Sequence, residues 1–208
     1  MKRVLFQGDS ITDMMRSREN DKFLGIGYPV LVGAELGLDY PNKYEFLNRA
    51  VSGNRIVDLY ARIKSDIINL KPDVISFLIG INDVWHELDD RHNGVDAEKY
   101  YTIYSMLISE IKAALPETQI MILEPFVLKG EGTEKEWEYF RTETDKRAEK
   151  AKKIAEKFNL KFVPLQSKFD DAERLADSSY WLWDGVHPNY PGHEIIKREW
   201  IKAFKEIV

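Results

Sequence analysis

Cysteine is missing altogether from this chain of 208 residues. Disulfides, thiolate nucleophiles and Cys-based metal sites are thereby excluded, although zero cysteine does not itself fix the compartment. Missing too is any apolar run approaching the ~20 residues of a membrane-spanning helix, so no membrane partner is expected. Positive charge is not in excess: 30 Lys and Arg stand against 35 Asp and Glu, a net charge of −5. A general nucleic-acid binder needs clustered Lys and Arg to neutralise phosphates, so that class is argued against. No internal repeat, low-complexity tract or linker interrupts the chain. With 44% apolar residues it reads as one globular domain, residues 1–208, long enough to bury a sizeable core. Met1-Lys2-Arg3 leads straight into an apolar stretch, with no long hydrophobic region or small-residue cleavage site, and the expectation is a cytoplasmic protein.

What is present is a repeated alternation of strand and helix signals. Residues 4–7 predict a first strand, broken by Gly8. Residues 11–27 read as a polar loop carrying Arg16, Arg18 and Glu19, either a rim of a site or a solvated loop. A short helix follows over 28–36, with Pro29 in its first turn and Gly37 as its stop. The second strand is predicted over 44–51. Ile56, Leu59, Ile63 and Ile67 then repeat at helical spacing up to Leu70. Residues 74–79 form an almost continuous apolar run, as in a central parallel strand buried on both faces. Helix 96–115, strand 119–123, a loop over 129–132, a long helix opened by a capping box at Thr133-Glu134-Lys135-Glu136, a strand at Phe162-Val163 and a last helix after Pro191 complete the series. Each strand-to-strand connection is long enough for a crossover helix, so the sheet should be parallel with helices on both faces.

Four short segments rich in small or polar residues carry the chemistry: Gly8-Asp9-Ser10, Ser52-Gly53-Asn54, Gly80-Ile81-Asn82-Asp83 and Asp184-Gly185-Val186-His187-Pro188. The first three follow strands and should converge at one sheet edge; the fourth joins them if the last loop folds over that edge. Acyl transfer needs a serine with a base to take its proton, and Ser10 and His187 fill those roles. Asp184, three residues before His187, can fix the imidazole tautomer. The backbone amides of Ser10 and Gly53 and the side-chain amide of Asn82 are the candidate oxyanion donors. Asp9, Trp85 and Trp183 are candidate substrate-binding residues, since sugar rings stack on tryptophan. Core or subunit-interface packing is the competing reading of Trp183.

These four segments resemble the four blocks of the GDSL esterases in the SGNH hydrolase superfamily, whose initials correspond here to Ser10, Gly53, Asn82 and His187. The first block reads Phe6-Gln7-Gly8-Asp9-Ser10-Ile11-Thr12, and the last is the family's Asp-x-x-His. The resemblance implies a flavodoxin-like three-layer α/β/α fold with a five-stranded parallel sheet. A Gly-x-Ser-x-Gly elbow is absent, which argues against the common α/β-hydrolase fold. Within the family, Val51-Ser52-Gly53-Asn54, Lys71-Pro72-Asp73, Ile79-Gly80-Ile81-Asn82-Asp83-Val84-Trp85 and Trp183-Asp184-Gly185-Val186-His187-Pro188 with Gly192-His193 are similar to the bacterial intracellular acetylxylan esterases. That likeness implies deacetylation of xylo-oligosaccharides, a small acetylated sugar as partner, no cofactor and a homo-oligomer.

Other readings of the same residues are a thioesterase or short-chain lipase of different acyl preference, and a non-catalytic phosphate- or flavin-binding module at the Gly8-Asp9-Ser10 loop. A metal hydrolase would have to draw on His86, His92, His187 and His193, and none shows His-Glu-x-x-His spacing.

Overall fold

The computed structural model describes residues 1–90 and 92–208. Five strands, β1 (Lys2–Gly8), β2 (Tyr44–Asn48), β3 (Val74–Leu78), β4 (Gln119–Leu123) and β5 (Lys161–Val163), form one parallel sheet in the order β2-β1-β3-β4-β5. The chain steps outward from β1 to β2, then crosses back to lay β3 on the other side of β1. That reversal puts a crevice beyond the carboxyl ends of β1 and β3.

Alternation along the strands separates two cores. Val4 and Phe6 of β1, Val74 and Leu78 of β3, and Met121 and Leu123 of β4 face one side. There they pack with Tyr28, Val32 and Leu36 of α2 (Tyr28–Asp39) and with Ile196, Trp200 and Phe204 of the C-terminal helix Tyr190–Phe204. Leu5, Ile75, Phe77, Ile120 and Ile122 face the other side. Their neighbours come from α3 (Ile56–Ala61), α4 (Ile63–Asp66), the helix Ala97–Ala114 and the helix Trp137–Phe158. The result is the three-layer α/β/α arrangement with five parallel strands that the family resemblance implies.

The remaining helices carry the site or flank it. They are α1 (Ser10–Asp13), α5 (Ile81–Leu88), α8 (Gln166–Glu173) and α9 (Ser178–Trp181); the longer helices 97–114, 137–158 and 190–204 are α6, α7 and α10.

Several local expectations are corrected. The apolar period over 56–70 does bury Ile56, Leu59, Ile63 and Ile67, but the helix is broken into α3, α4 and a 3₁₀ turn, Ile68–Leu70. Arg62 sits at the first break, where its guanidinium reaches Asn54 Oδ1, the Arg49 carbonyl and Asp66, each at 2.8 Å. At the second, the buried Gln7 side chain donates to the Asp66 carbonyl at 2.8 Å. Gly37 does not stop α2, which runs on to Asp39, because one glycine costs a helix only about 1 kcal/mol. Strand β2 ends at Asn48 rather than at residue 51, since the Asn48 side chain holds the Thr12 and Leu24 carbonyls and the Ala50 amide and turns the chain. Thr133 opens no capping box: its hydroxyl donates to the Leu128 carbonyl and accepts from the Gly130 amide. A 3₁₀ turn, Glu134–Glu136, then precedes α7. Helix α1 opens the stretch predicted as a polar loop, and α5 and α8 lie where no helix is predicted. No described helix is long and apolar enough to cross a membrane.

Candidate active site

Strand β1 ends at Gly8, paired with Leu78 at the end of β3. The tight register leaves no room for a side chain: at φ +157°, a Cβ on Gly8 would lie 2.3 Å from the Leu78 carbonyl oxygen and 2.7 Å from Thr12 Oγ1. Asp9 then caps α1, accepting from the Ile11 amide at 3.0 Å, and Ser10 is the first residue of that helix. The serine is thus presented at the crevice on a short, side-chain-capped helical turn.

On the far side, Asp184 organises its own loop. Its Oδ1 accepts from the Val186 and His187 amides at 2.9 and 2.8 Å, and its Oδ2 lies 2.6 Å from His187 Nδ1. The His187 Nε2 lies 2.8 Å from Ser10 Oγ. An ionised carboxylate only accepts, so Nδ1 carries the ring proton and Nε2 is left to accept from the serine hydroxyl. Burial opposes the Asp184 charge, but the hydrogen bonds from the His187 ring and from the His187 and Val186 amides outweigh it and hold the carboxyl below its ordinary pKa.

The loop that presents His187 is braced from outside. Leu128 N–H donates to the Gly185 carbonyl and Gly132 N–H to the Asp184 carbonyl, both at 2.9 Å. Residues 128–133 therefore form a buttress under the Asp184–His187 turn. Trp183 stacks on the His187 ring at 5.2 Å and 16°, and Trp85 lies tilted against it at 6.0 Å. Trp183 is 53% exposed, which excludes the core-packing reading. Trp85 is partly buried, its indole edge-on to Phe140.

The other two segments meet at the mouth of the same crevice. Gly53 has φ +80° in the loop after β2. Asn82, in the first turn of α5, donates through Nδ2 to the Asn54 carbonyl at 3.1 Å; its second amide hydrogen is left to serve another acceptor.

Asp9 is placed differently from its sequence-based role. It is buried beneath the serine with its carboxyl turned to the Ile11 amide, so it holds α1 and does not line the open face. Burial pushes its carboxyl up to about 7, against the Ile11 hydrogen bond and the charge of His187. Arg16 is likewise buried, donating to the Ala50 carbonyl at 2.6 Å, so it is no rim residue. Asp13 was not singled out by sequence. It accepts from the Ser52 amide and hydroxyl at 2.8 and 3.0 Å and ties α1 to the Gly53 loop. Its only local signal is its position three residues after Ser10.

The chain matches the GDSL-like lipase/acylhydrolase family over residues 6–195. It belongs to that family. As a GDSL-like acylhydrolase it is a carboxylic ester hydrolase. An acetylxylan esterase of Geobacillus stearothermophilus is 34% identical over 210 residues, which cover 96% of this chain and 92% of that protein. A crystal structure of an acetylxylan esterase from the same organism has a TM-score of 0.88 at 33% identity, covering 97% of this chain and 93% of that one. A GDSL-like lipase from Parabacteroides merdae has a TM-score of 0.90 at 38% identity, covering 98% and 95%. Among structures of the Geobacillus enzyme, three are of catalytic mutants, in which a serine, an aspartate or a histidine is replaced by alanine.

Proposed function

We propose that this ester hydrolase releases acetate from acetylated xylo-oligosaccharides through an acyl-enzyme on Ser10. The observation that carries the mechanism is the unbroken relay from Ser10 Oγ through His187 to Asp184, at 2.8 and 2.6 Å. His187 Nε2 takes the hydroxyl proton as Ser10 Oγ attacks the acetyl carbonyl, and Asp184 stabilises the imidazolium that forms. The Ser10 and Gly53 amides and Asn82 Nδ2 receive the oxyanion. Collapse expels the sugar alkoxide, which takes the proton from His187. Water, deprotonated by the same ring, then attacks the acetyl-serine and returns the free enzyme and acetate.

The acetylated-sugar substrate rests on the likeness to the acetylxylan esterase and on Trp183, a half-exposed indole that widens the site beyond His187. The chain acts as one catalytic unit, since the four segments span residues 8–188. A homo-oligomer is part of this reading, supported by large side chains left exposed at Leu175, Tyr180 and Tyr190; light scattering on the purified protein tests it.

The deciding experiment compares acetate release from acetylated xylo-oligosaccharides by wild type and Ser10→Ala. Release by wild type alone is expected. Cleavage of a simple aryl acetate without release from the oligosaccharide would keep the esterase and remove the xylan substrate. Equal rates on acetyl and hexanoyl esters would favour a lipase or thioesterase of broader acyl preference.

A further inference from the structure

Asp83 follows Asn82 directly in the first turn of α5, and its side chain reaches the start of α3 rather than solvent. It is fully buried. Its two carboxyl oxygens lie 3.1 and 3.2 Å from the Ile56 amide, at the first residue of α3. Helix-start amides have no partner within their own helix, and one is commonly satisfied by a Ser, Thr, Asp or Asn just before it. Here the acceptor for Ile56 comes instead from another element, 27 residues further along.

The neighbouring side chain does the matching task. Asn82 Nδ2 donates to the Asn54 carbonyl at 3.1 Å. Two consecutive α5 residues therefore grip residues 54 and 56, just beyond Gly53. The Asp83 backbone is anchored as well, its carbonyl accepting from the Val95 amide at 2.9 Å. The Val95 carbonyl in turn accepts from the buried Arg147 at 2.7 Å. Burial pushes the Asp83 carboxyl well above its ordinary pKa, against the Ile56 hydrogen bond and the charge of Arg147. A polar group so deeply buried is expensive unless its hydrogen bond is made.

We propose that Asp83 is a positioning residue for the esterase reaction: through the Ile56 amide it sets the spacing between the Gly53 amide and the Asn82 side chain. Gly53 lies in the loop after β2 and Asn82 in the first turn of α5, so their spacing depends on the contacts between these two elements. The oxyanion is fully stabilised only when both donors reach one atom at about 3 Å, and displacement of the order of 1 Å can cost about 10²-fold in rate. This inference rests on the reading of Gly53 and Asn82 as oxyanion donors.

The test measures kcat and KM on 4-nitrophenyl acetate for wild type, Asn82→Ala, Asp83→Ala, Asp83→Asn and the Asn82→Ala/Asp83→Ala double variant. Rates are normalised to sites titrated with a serine-directed phosphonate. Asp83→Ala should lower kcat by about 10–10²-fold with KM changed by less than about threefold. Asp83→Asn keeps an acceptor for the Ile56 amide and should recover most of that loss. The double variant should fall by less than the product of the two single losses, because both act on one oxyanion site. Should Asp83→Ala fail to fold, Asp83→Ser, whose hydroxyl is too short to reach Ile56, carries the same expectation. A kcat kept within about twofold by Asp83→Ala, or losses that multiply in the double variant, would overturn the proposal while leaving the oxyanion reading intact. An unchanged kcat in Asn82→Ala would instead remove the oxyanion reading itself, and this proposal with it.

Discussion

At the scale of single residues, the site separates groups that react from groups that hold them. Asn82 Nδ2 already spends one hydrogen on the Asn54 carbonyl, so its remaining hydrogen is directional from the start and needs no reorganisation as charge develops. Asn82→Ala should therefore raise the barrier by about 2.7–4 kcal/mol, read as a lower kcat with KM nearly unchanged; a variant with wild-type kcat would contradict the donor role. Asp184→Asn makes a sharper test of the relay. An amide nitrogen set against His187 Nδ1 would donate to it, which moves the ring proton to Nε2, facing Ser10. The expected loss is about 10³–10⁴-fold in kcat, and a loss below tenfold would mean that Asp184 does not choose the tautomer.

At the scale of elements, catalytic geometry depends on loops gripping loops. The turn carrying Asp184 and His187 is held by residues 128–133, and the approach is close enough that size matters. A Cβ on Gly130 would lie 2.5 Å from the Gly185 amide nitrogen. Gly130→Ala must push the two segments apart, at a cost of about 1–3 kcal/mol in stability. Because the displaced turn carries His187, the proposed base, kcat should fall as well, whereas the same change at Gly37, where a Cβ meets nothing within 4 Å, should leave kcat unaltered. Denaturation midpoints and kcat for the two variants check this, and equal kcat values would mean the 128–133 buttress does not position His187. Element boundaries were partly legible. The apolar period identified the buried face of residues 56–70 correctly, because side-chain spacing reports burial. It gave no warning of the break at Arg62, because that break is made by partners at Arg49 and Asn54. Helix α5 was hidden because its first turn is also the Asn82 block, where Asn and Asp read as turn formers.

At the scale of the whole molecule, two buried groups give folding opposite responses to acid. The Asp9 carboxyl is raised to about 7, chiefly by burial. The folded chain therefore holds a proton there that the unfolded chain releases, and this group adds stability as pH falls from about 7 toward 4. His193 is lowered to about 4 by burial and by the charge of His187, while its Nδ1 accepts from the Tyr28 amide at 3.2 Å. The unfolded chain takes up that proton first, so stability is lost as pH falls from about 6.5 to about 4. The Asp9 shift corresponds to roughly 4 kcal/mol and the His193 shift to roughly 3 kcal/mol at 1.36 kcal/mol per pKa unit, so the two largely offset each other. Asp9→Asn, which keeps the helix cap, should be more stable than wild type at pH 8 and lose that advantage by pH 4.5. His193→Gln should gain on wild type as the solution is acidified. Denaturation midpoints across that range decide the matter; a pH-independent difference for Asp9→Asn would mean that its carboxyl is ionised in the fold.

Fold class and the four chemistry-bearing segments were readable from the chain alone. Strand–helix alternation with long connections admits little other than a parallel sheet covered on both faces, and Ser10, Gly53, Asn82, Asp184 and His187 stand in segments whose composition suits loops beyond strand ends. The pairing of Asp184 with His187 was also local, since three residues in one turn suffice to bring carboxylate and imidazole together. Which side chains line the crevice and which are buried beneath it was decided only by the tertiary structure. Asp9 is next to the nucleophile in sequence but lies beneath it, because the first turn of α1 rotates Ser10 outward and Asp9 inward. Arg16 carries a charge that reads as solvent-facing, yet the Ala50 carbonyl draws it into the interior. Asp83 adjoins Asn82 yet turns to the Ile56 amide at the start of α3, while Asn82 turns to the Asn54 carbonyl. In each case the residue type stated what the side chain could bond, and the partner that settled its direction lay on another element, brought near only when the sheet closed.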